Sequence, residues 1–275
     1  MIPIVIAAAI STSPAATVSC EPISGAAEIL TDQQMRWLIL GEQHGTAESP
    51  RIFADIVCLA TKLRREIVVG LEFPVEDQKL IDAYLASNGG DKAQAALLSS
   101  PVWQKSMQDG RSSGAMLALF ERLRKMARAK HIVGVAAFQN TREVERAKYE
   151  QGLANQLQSA SPSRNRLVIA LVGNFHARTL PWSSGGQSYM PMAGLLPKEQ
   201  TRTLNIVGNG GAQWACFRDR SAPIGDQPTC AARDFGVSSK TYMRGIVLAS
   251  DSNSPYAGTL YLGVPTTAAR PALAK

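Results

Sequence analysis

The sequence lacks most of the signatures by which hydrolases and nucleotide-binding proteins are identified. It contains no GxxxxGK[ST] phosphate-binding loop and no HExxH metal-binding pair. We interpret Gly208-Asn209-Gly210-Gly211 as a loop rather than a dinucleotide-binding fingerprint, because no helical pattern follows it. Any catalytic chemistry must therefore come from side chains that the fold brings together.

Long apolar segments are also missing from the interior of the chain. No interior run reaches the ~18 apolar residues that a membrane-spanning helix requires, and the mean hydropathy is -0.06. With 45% hydrophobic and 19% charged residues over 275 positions, the composition is that of an ordinary globular protein. We predict one large domain with no transmembrane span in the mature protein.

Acidic residues are fewer than basic ones, with 22 Asp and Glu against 29 Lys and Arg and a formal net charge of +7. Such a balance favours anionic ligands or surfaces. The basic residues are scattered along the sequence, however, as at 64–65, 122–125 and 164. They form no stripe of the kind that binds nucleic acid, so we predict no nucleic-acid partner.

The amino terminus differs from the rest of the chain. Residues 2–10 are almost wholly apolar and are followed by small residues at 11–16, a pattern typical of a signal peptide, although no Lys or Arg precedes it. We predict a signal peptide over residues 1–19 and a mature protein that is periplasmic or secreted. Lipid attachment at Cys20 is a second hypothesis, although the usual leucine-rich approach is absent.

The four cysteines show no CxxC spacing and have no neighbouring histidine, which disfavours a zinc site and suits an oxidising compartment. Cys216 and Cys230 flank a loop rich in turn residues, and a covalent bond would restrain this segment. We predict a disulfide between them; the alternative is a pair of buried reduced thiols. The sequence leaves the pairing of Cys20 and Cys58 open.

Four apolar runs rich in β-branched residues alternate with helical patterns. The runs 37–40, 67–71, 132–135 and 167–172 are predicted to be buried strands, and the clearest helix is predicted over 49–63. Strands that lack polar alternation and are separated by helices indicate a mainly parallel sheet. We therefore predict an α/β fold in which a mainly parallel central sheet is flanked by helices.

Two further regions complete this prediction. Residues 89–110 show no strand pattern and are predicted to form a helical insert. Short strand patterns at 204–207, 245–248 and 259–264 are expected to extend the same sheet. The prediction is a single α/β domain over residues 20–265, followed by a disordered tail over 266–275.

Polar side chains follow the predicted strands where each one ends. Glu42 and His44 follow the first strand, Glu72 follows the second, and His176 follows the fourth. Because the carboxyl ends of parallel strands share one edge of a sheet, we expect these four side chains to form one catalytic cleft. The remaining histidine, His131, opens a strand at the opposite edge and is interpreted as structural.

The two site histidines each lie three positions after a glycine, in GEQH and GNFH. A neutral imidazole can take a proton from water, and a carboxylate can orient it or stabilise its charged form. We predict His44 as the principal base, because Glu42 lies two residues before it, and His176 as its assistant. Glu72 would orient one imidazole or, with His44 and His176, hold a divalent metal; metal dependence stays open.

Three further residues are predicted to bind the substrate. Arg111 and Arg142 could present a guanidinium group to a carboxylate or an oxyanion, and Asn174 lies inside the second glycine-histidine motif. The alternative for the turn at Arg111 is simple helix capping by Ser112 or Ser113. The alternative for Arg142 is a surface ion pair.

The paired motifs resemble a superfamily that joins erythromycin esterases, ChaN-like haem-binding lipoproteins and Tiki/TraB proteases. GEQHGTAESP at 41–50 is similar to the first motif of that superfamily, LEFP at 71–74 to the second and VGNFHA at 172–177 to the last. The resemblance spans about residues 36 to 180. The predicted export and the modest chain length favour the ChaN-like branch.

The resemblance implies two functions from different classes. One is an exported hydrolase, esterase-like or peptidase-like, that activates water with His44 and His176 and takes a small-molecule or peptide substrate. The other is a binding protein for haem in iron uptake, without catalysis. We favour the hydrolase, since two Glu beside two His suit general-base chemistry or a metal, whereas haem needs an axial ligand and an apolar slot.

Overall fold

The computed structural model describes residues 20–140, 145–184, 186–218 and 228–273. The strands are β1 (Trp37–Glu42), β2 (Glu66–Pro74), β3 (Gly134–Gln139), β4 (Arg166–Gly173), β5 (Trp182–Ser184), β6 (Gln187–Tyr189), β7 (Thr201–Val207), β8 (Gly210–Phe217), β9 (Thr229–Val237), β10 (Gly245–Leu248) and β11 (Gly258–Tyr261). The helices are α1 (Ala26–Leu30), α2 (Glu48–Ala60), α3 (Gln78–Ala86), α4 (Asp91–Leu98), α5 (Pro101–Gln104), α6 (Gly114–Arg128) and α7 (Arg146–Ser159).

Seven strands form one sheet in the order β10-β11-β7-β1-β4-β2-β3. All neighbours pair in parallel except β10, which pairs antiparallel with β11 at one edge. The central strands are almost level, since Trp37 lies opposite both Val168 and Thr201, and Glu66 lies opposite Arg166. The amino ends of the parallel strands therefore share one edge of the sheet and their carboxyl ends share the other.

Alternating side chains of each central strand fill two cores, one on each face of the sheet. On one face Leu38 and Leu40 belong to a core with buried residues of α2, α3 and α6. On the other face Trp37 and Ile39 pack with Leu153 of α7. Both faces are covered, which explains why the strands have no polar alternation. The predicted α/β class is confirmed, and the helical insert is α4 with α5.

The C-terminal strands are confirmed as part of the central sheet, but two hairpins were not predicted. One is the pair β5 and β6, and the other is the pair β8 and β9. β8 begins inside the predicted loop, where Gly210 and Gly211 adopt φ values of 83° and 108° and the register shifts by a bulge. Two consecutive glycines in this conformation hide a strand from sequence patterns.

Two disulfides are present. Cys216–Cys230 joins opposite residues of β8 and β9 and confirms the predicted bridge. Cys20 pairs with Cys58 of α2. A thioether to lipid would need the sulfur that Cys20 contributes to this bridge, and lipid attachment stays an untested hypothesis. Disulfides are typical of proteins that fold outside the cytosol. Within the described residues, no helix has the length and apolar character needed to cross a membrane.

The expected disorder of the tail is wrong for residues 266–273. Thr266 and Ala269 are buried, and the Ala269 N–H donates a hydrogen bond to the Gly45 carbonyl at 2.8 Å. The Gly114 N–H donates to the Arg270 carbonyl at 2.9 Å, at the amino end of α6. The tail thus takes up free backbone groups of the loop after β1 and of α6, which sequence patterns do not reveal.

Candidate active site

The loop after β1 holds His44 against the buried carboxylate of Glu42. Glu42 is the last residue of β1, and its Oε1 lies 3.0 Å from His44 Nδ1. Gly45 follows with a φ of 82°, and its carbonyl accepts a hydrogen bond from the Trp214 N–H at 2.8 Å. The hairpin formed by β8 and β9 and the C-terminal tail both fasten this loop, so the His44 ring is held from several sides.

Glu72 joins three parts of the site. One of its oxygens accepts a hydrogen bond from the Arg111 guanidinium at 2.9 Å, and the other accepts one from the Gly173 N–H at 2.8 Å. That second oxygen also lies 3.5 Å from His44 Nε2. Glu72 is therefore a buried anion that binds a cationic side chain, the backbone of the fourth strand and one ring of the histidine pair.

Arg111 reaches Glu72 from the loop between α5 and α6. Its guanidinium also donates to Asp109 at 2.7 Å, and Lys105 lies 3.8 Å from the same carboxylate. Gly110, with a φ of 98°, packs so closely on Gly45 that a Cβ at Gly110 would collide with it. Ser113 caps α6, as the alternative interpretation of this turn proposed. Substrate binding by Arg111 stays a prediction, since its guanidinium binds Glu72 and Asp109 in this structure.

His176 is oriented by a residue that the sequence analysis missed, Glu150. His176 Nδ1 lies 2.8 Å from Glu150 Oε2, and that oxygen also accepts the Met192 N–H at 2.9 Å. Glu150 is fully buried on α7. Its position precedes Leu153, Ala154 and Leu157 by three, four and seven residues, so it occupies the apolar stripe of the helix. A carboxylate at such a position was the signal that could have identified it.

The two imidazoles face one another across Gly173. A Cβ at Gly173 would lie 2.9 Å from His44 Nε2 and 3.5 Å from His176 Cδ2. Only glycine leaves both rings in place at the end of β4. The predicted convergence of Glu42, His44, Glu72 and His176 at one edge agrees with this arrangement, although the roles of the two histidines remain to be assigned.

The charges of the site determine which groups hold protons. Burial acts to lower the pKa of His44, but its contacts with Glu42 and Glu72 outweigh burial and raise that pKa to about 10. Burial acts to raise the pKa of Glu72, yet His44 and Arg111 hold it well below its usual range. Arg111 likewise outweighs burial at Asp109 and lowers its pKa to about 2. The contacts with Glu42 and Glu72 therefore favour the charged form of His44.

Glu42 has a different environment from Glu72. Burial raises the pKa of Glu42, and the contact with His44 only partly offsets it. Within the described residues, Glu42 Oε2 and Glu150 Oε1 are buried without a hydrogen-bond partner. Buried polar atoms left in this state destabilise a fold, so each of these two oxygens can accept a hydrogen bond from a further donor.

The predicted metal ligands do not fit a metal ion as they are arranged. Both oxygens of Glu72 accept hydrogen bonds and both nitrogens of His44 contact carboxylates. In the part of the chain that the structure describes, no three His, Cys, Asp or Glu side chains form a group that could hold a metal ion.

Three other predicted residues have different outcomes. The Asn174 side chain is exposed, while its N–H donates to the Glu42 carbonyl at 2.8 Å, so its role in substrate binding stays a prediction. Arg142 lies outside the described residues. His131 is exposed and precedes β3, at the edge of the sheet opposite the site, as the sequence analysis indicated.

Residues 30–170 match a family described as haem-binding uptake, Tiki superfamily, ChaN. The chain belongs to this ChaN-like family. The matched segment includes Glu42, His44, Glu72 and Arg111, and it also includes Glu150. It ends shortly before His176. No curated protein matches the ChaN-like chain.

Several solved structures resemble this chain at low sequence identity. The erythromycin esterase EreC, a mutant in its open conformation, is 12% identical with a TM-score of 0.53, over 89% of this chain and 90% of that one. The type III effector HopBA1 is 12% identical with a TM-score of 0.50, over 92% of this chain and 100% of that one. A structure of bacterial protein toxins is 18% identical with a TM-score of 0.45, and the match spans 69% of this chain but 37% of that one. Such identities show a shared fold alone.

Proposed function

We propose that this ChaN-like chain is an exported hydrolase in which His176, oriented by Glu150, activates water at the carboxyl edge of the sheet. One observation carries the proposal. The His176 ring pairs through Nδ1 with a fully buried carboxylate, and its Cδ2 side faces the buried ions of the site across Gly173. No hydrogen bond to His176 Nε2 is found among the described residues, so this nitrogen is available to accept a proton.

We propose that His176, rather than His44 as the sequence predicted, is the principal base. Contacts with two carboxylates favour the charged form of His44, and an imidazolium cannot accept a proton. His176 has one carboxylate partner, which fixes the ring and holds the proton on Nδ1. This division resembles the general arrangement in which a buried acid orients a histidine base.

The proposed reaction is the hydrolysis of an ester or amide. His176 Nε2 takes a proton from water while the water oxygen bonds to the carbonyl carbon, and the carbonyl electrons move to its oxygen. The intermediate collapses, the bond to the leaving group breaks, and His176 returns the proton to that group. The buried Glu150 stabilises the imidazolium that exists between these steps.

The Arg111 cation would help to stabilise the negative charge of the intermediate. Glu72 and Asp109 hold Arg111 in place, whereas both nitrogens of His44 already contact carboxylates. Because the carboxylates fix the guanidinium before substrate arrives, little reorganisation is needed when an oxyanion forms. Among the solved structures that share the fold, EreC is an erythromycin esterase. This supports an ester or peptide-like substrate for the present site.

Export is part of the proposal. The two disulfides and the signal-peptide pattern of residues 1–19 support a periplasmic or secreted protein.

A broad screen of ester, amide and peptide substrates tests the proposal, run with the wild type, His176→Asn and Glu150→Gln. We expect turnover in the wild type, loss in His176→Asn and partial activity in Glu150→Gln, with rates unchanged by added chelator. The matched control is His131→Asn, which changes a histidine at the opposite edge. Absence of turnover on every substrate, with or without Mn²⁺, Zn²⁺ or Co²⁺, rejects the hydrolase.

Haem binding is the second candidate function, and a specific feature favours it. The Phe175 ring packs edge-on against the rings of His176 and Trp182, with centroid distances of 5.5 Å and 5.4 Å. The Tyr189 ring lies 5.9 Å from the Phe175 ring. The Arg178 guanidinium lies 5.3 Å from the Trp182 ring. A haem needs an axial ligand, an apolar wall and cations for its propionates. His176, the aromatic side chains and Arg178 fit these requirements.

Absorbance spectra with added haem separate the two functions. A haem-binding protein shows a Soret band that is lost in His176→Ala and retained in Glu72→Gln, because Glu72 makes no contact with the aromatic wall among the described residues. A hydrolase loses turnover in Glu72→Gln, because this change releases Arg111 and His44 from their positions. Stoichiometric haem binding without turnover would establish the second function in place of the first.

A further inference from the structure

The fold gathers basic residues that are scattered in the sequence. Five neighbouring parallel strands of the sheet, β7, β1, β4, β2 and β3, each begin within a few residues of a Lys or Arg. Arg36 precedes β1, Arg65 precedes β2 and Lys130 precedes β3, while Arg166 opens β4 and Arg202 lies at the start of β7. Since these strand ends share one edge of the sheet, their charges lie together on one side of the molecule.

We name this region the basic edge. Its basic residues, taken from the segments that lead into β1, β2, β3, β4 and β7, are Arg36, Lys62, Arg64, Arg65, Lys130, Arg164, Arg166, Lys198 and Arg202, and its acidic residues are Asp32, Glu66 and Glu199. This excess accounts for most of the net charge of +7. The carboxyl ends of β1 and β2 and the segments after them are acidic instead, with Glu42, Glu48, Glu72, Glu76 and Asp77.

Two of the three acidic residues of the basic edge are already paired with arginines. Glu66 pairs with Arg166 at 2.8 Å, and Asp32 pairs with Arg202 at 2.6 Å. Arg64, Lys130 and Arg164 are exposed and form no ion pair with acidic residues in the described part of the chain. The positive charge is therefore not neutralised within the described protein, and an external anion would find it available.

A cavity of about 660 Å³ opens in the basic edge between the segments that lead into β2 and β3. Arg64, Arg65 and Lys130 line it, together with Val133, which is 56% exposed. Lys130 has a φ of 58°, the left-handed conformation that ends α6 and that glycine usually provides. Glu66 and His131 also line the cavity, and no Phe, Tyr or Trp among the described residues does so. The cavity therefore offers little aromatic surface on which nucleic-acid bases could stack.

We propose that the basic edge docks on the surface of an anionic phospholipid bilayer, with one lipid phosphate group in this cavity. The positive charge extends across five strands, which is wider than one small anion, and the exposed apolar Val133 beside the cavity suits the boundary between headgroup and acyl chain. Docking through this edge leaves the opposite edge, with His44 and His176, open to substrate. The proposal does not depend on the reaction at that site.

Co-sedimentation of the full chain with vesicles tests the proposal. Phosphatidylcholine vesicles are compared with vesicles that also contain phosphatidylglycerol, at low and at physiological salt. We expect binding to the anionic vesicles alone, weakened by salt. Each Lys or Arg near an anionic membrane strengthens binding about five-fold. The triple variant Arg64→Gln, Lys130→Gln, Arg164→Gln should therefore bind about 100-fold more weakly.

A matched triple variant has the same net charge but leaves the basic edge intact. Lys79, Lys92 and Arg270 are exposed basic residues outside it, and their replacement by Gln should weaken binding less than about five-fold. Thermal unfolding of both variants checks that each is folded. Equal loss in the two variants, or equal binding to neutral vesicles, overturns the proposal.

The source of the phosphate is resolved by competition. Inorganic phosphate at an ionic strength matched by chloride should displace little protein from vesicles, because one phosphate occupies the cavity and leaves the rest of the edge on the bilayer. Full displacement by phosphate, but not by chloride, would assign the cavity to a soluble phosphate and reject the bilayer. Tighter binding to a nucleic-acid duplex than to anionic vesicles would also reject it.

Discussion

The two edges of the central sheet carry charge in opposite ways. At the carboxyl edge, cations and anions are buried and interlocked, as with Arg111 between Glu72 and Asp109. At the amino edge, the charges are exposed and mostly of one sign, as with Arg64 and Arg164. The same sheet therefore holds one region where charge is neutralised inside the protein and another where it faces solvent.

The difference follows from the cost of burying charge. An ion inside a protein must be paired and hydrogen-bonded, and removing one partner leaves the other uncompensated. An exposed ion is screened by water and salt and contributes little to stability. Single substitutions at the carboxyl edge should consequently lower the free energy of unfolding substantially, because they leave a buried charge without its partner. The amino edge can change its charge with little effect on folding, and its charges act on partners outside the protein.

The largest expected effect compares a histidine at each edge. His176→Asn should lower the hydrolysis rate about 10²- to 10⁴-fold, the usual loss for a positioned general base. His131→Asn should leave the rate within about two-fold, because His131 lies exposed before β3. Steady-state rates of both variants, on a substrate from the screen, provide the measurement. A comparable loss in both variants would contradict the assignment of chemistry to the carboxyl edge.

The next effect compares the two glutamates at opposite ends of β2. Glu72 is buried and binds Arg111, whereas Glu66 is 47% exposed and pairs with Arg166. Glu72→Gln should lower the free energy of unfolding by roughly 3 kcal/mol. Glu66→Gln should lower it by less than about 1 kcal/mol. Urea denaturation at neutral pH measures both, and a larger loss for Glu66→Gln would show that burial does not separate the two edges.

The sheet was predictable from the sequence because it is buried on both faces. The runs at 37–40, 67–71 and 167–172 lie inside β1, β2 and β4. β3 begins two residues later than predicted and continues to Gln139, because its small residues Gly134, Ala136 and Ala137 give a weak apolar pattern. The hairpin of β8 and β9 escaped prediction because its stability comes from a disulfide and from packing on the loop after β1, not from an apolar run.

Only the site residues that lie at the ends of strands could be predicted from the sequence. Glu42 and Glu72 lie at the carboxyl ends of β1 and β2, and His44 and His176 follow β1 and β4, so topology alone placed them together. Glu150 lies on a helix far along the chain, and its pairing with His176 depends on how α7 packs on the sheet. The basic edge was hidden for a related reason, since residues such as Arg36 and Arg164 are distant in sequence and meet only through strand order.

A smaller effect is expected from the titration of His44. The folded-state pKa of His44, about 10, lies above the ordinary value of 6.5. The stability it contributes is therefore complete below about pH 6.5 and disappears as the pH rises through about 10. Because the side chain is 24% exposed, solvent screens part of the effect, and we expect a loss of about 2 kcal/mol. Urea denaturation across this pH range measures it.

The control for this titration is His44→Gln, which should remove the pH dependence between pH 6.5 and 10, while His131→Gln should keep it. Glu72 adds nothing in this window, because its pKa is lowered and its proton is gained only in acid. An unchanged pH dependence in His44→Gln would show that His44 is neutral in the folded protein. The base at the carboxyl edge would then have to be reconsidered.

The smallest effect concerns Lys130, whose backbone conformation lowers the stability of the protein while its side chain adds a positive charge to the amino edge. Lys130 ends α6 with a φ of 58°, a conformation in which a Cβ is strained and glycine is not. Lys130→Gly should raise the free energy of unfolding by roughly 0.5–1 kcal/mol, while Lys130→Ala, which keeps the Cβ, should not raise it. Both variants lose the same charge, so both should bind anionic vesicles about five-fold more weakly. Urea denaturation and co-sedimentation of the two proteins therefore separate backbone strain from charge. If Lys130→Gly gains stability and both variants lose binding equally, the role of the lysine at this position is its charge. If Lys130→Gly keeps full binding, Lys130 does not contribute to anion binding in the cavity.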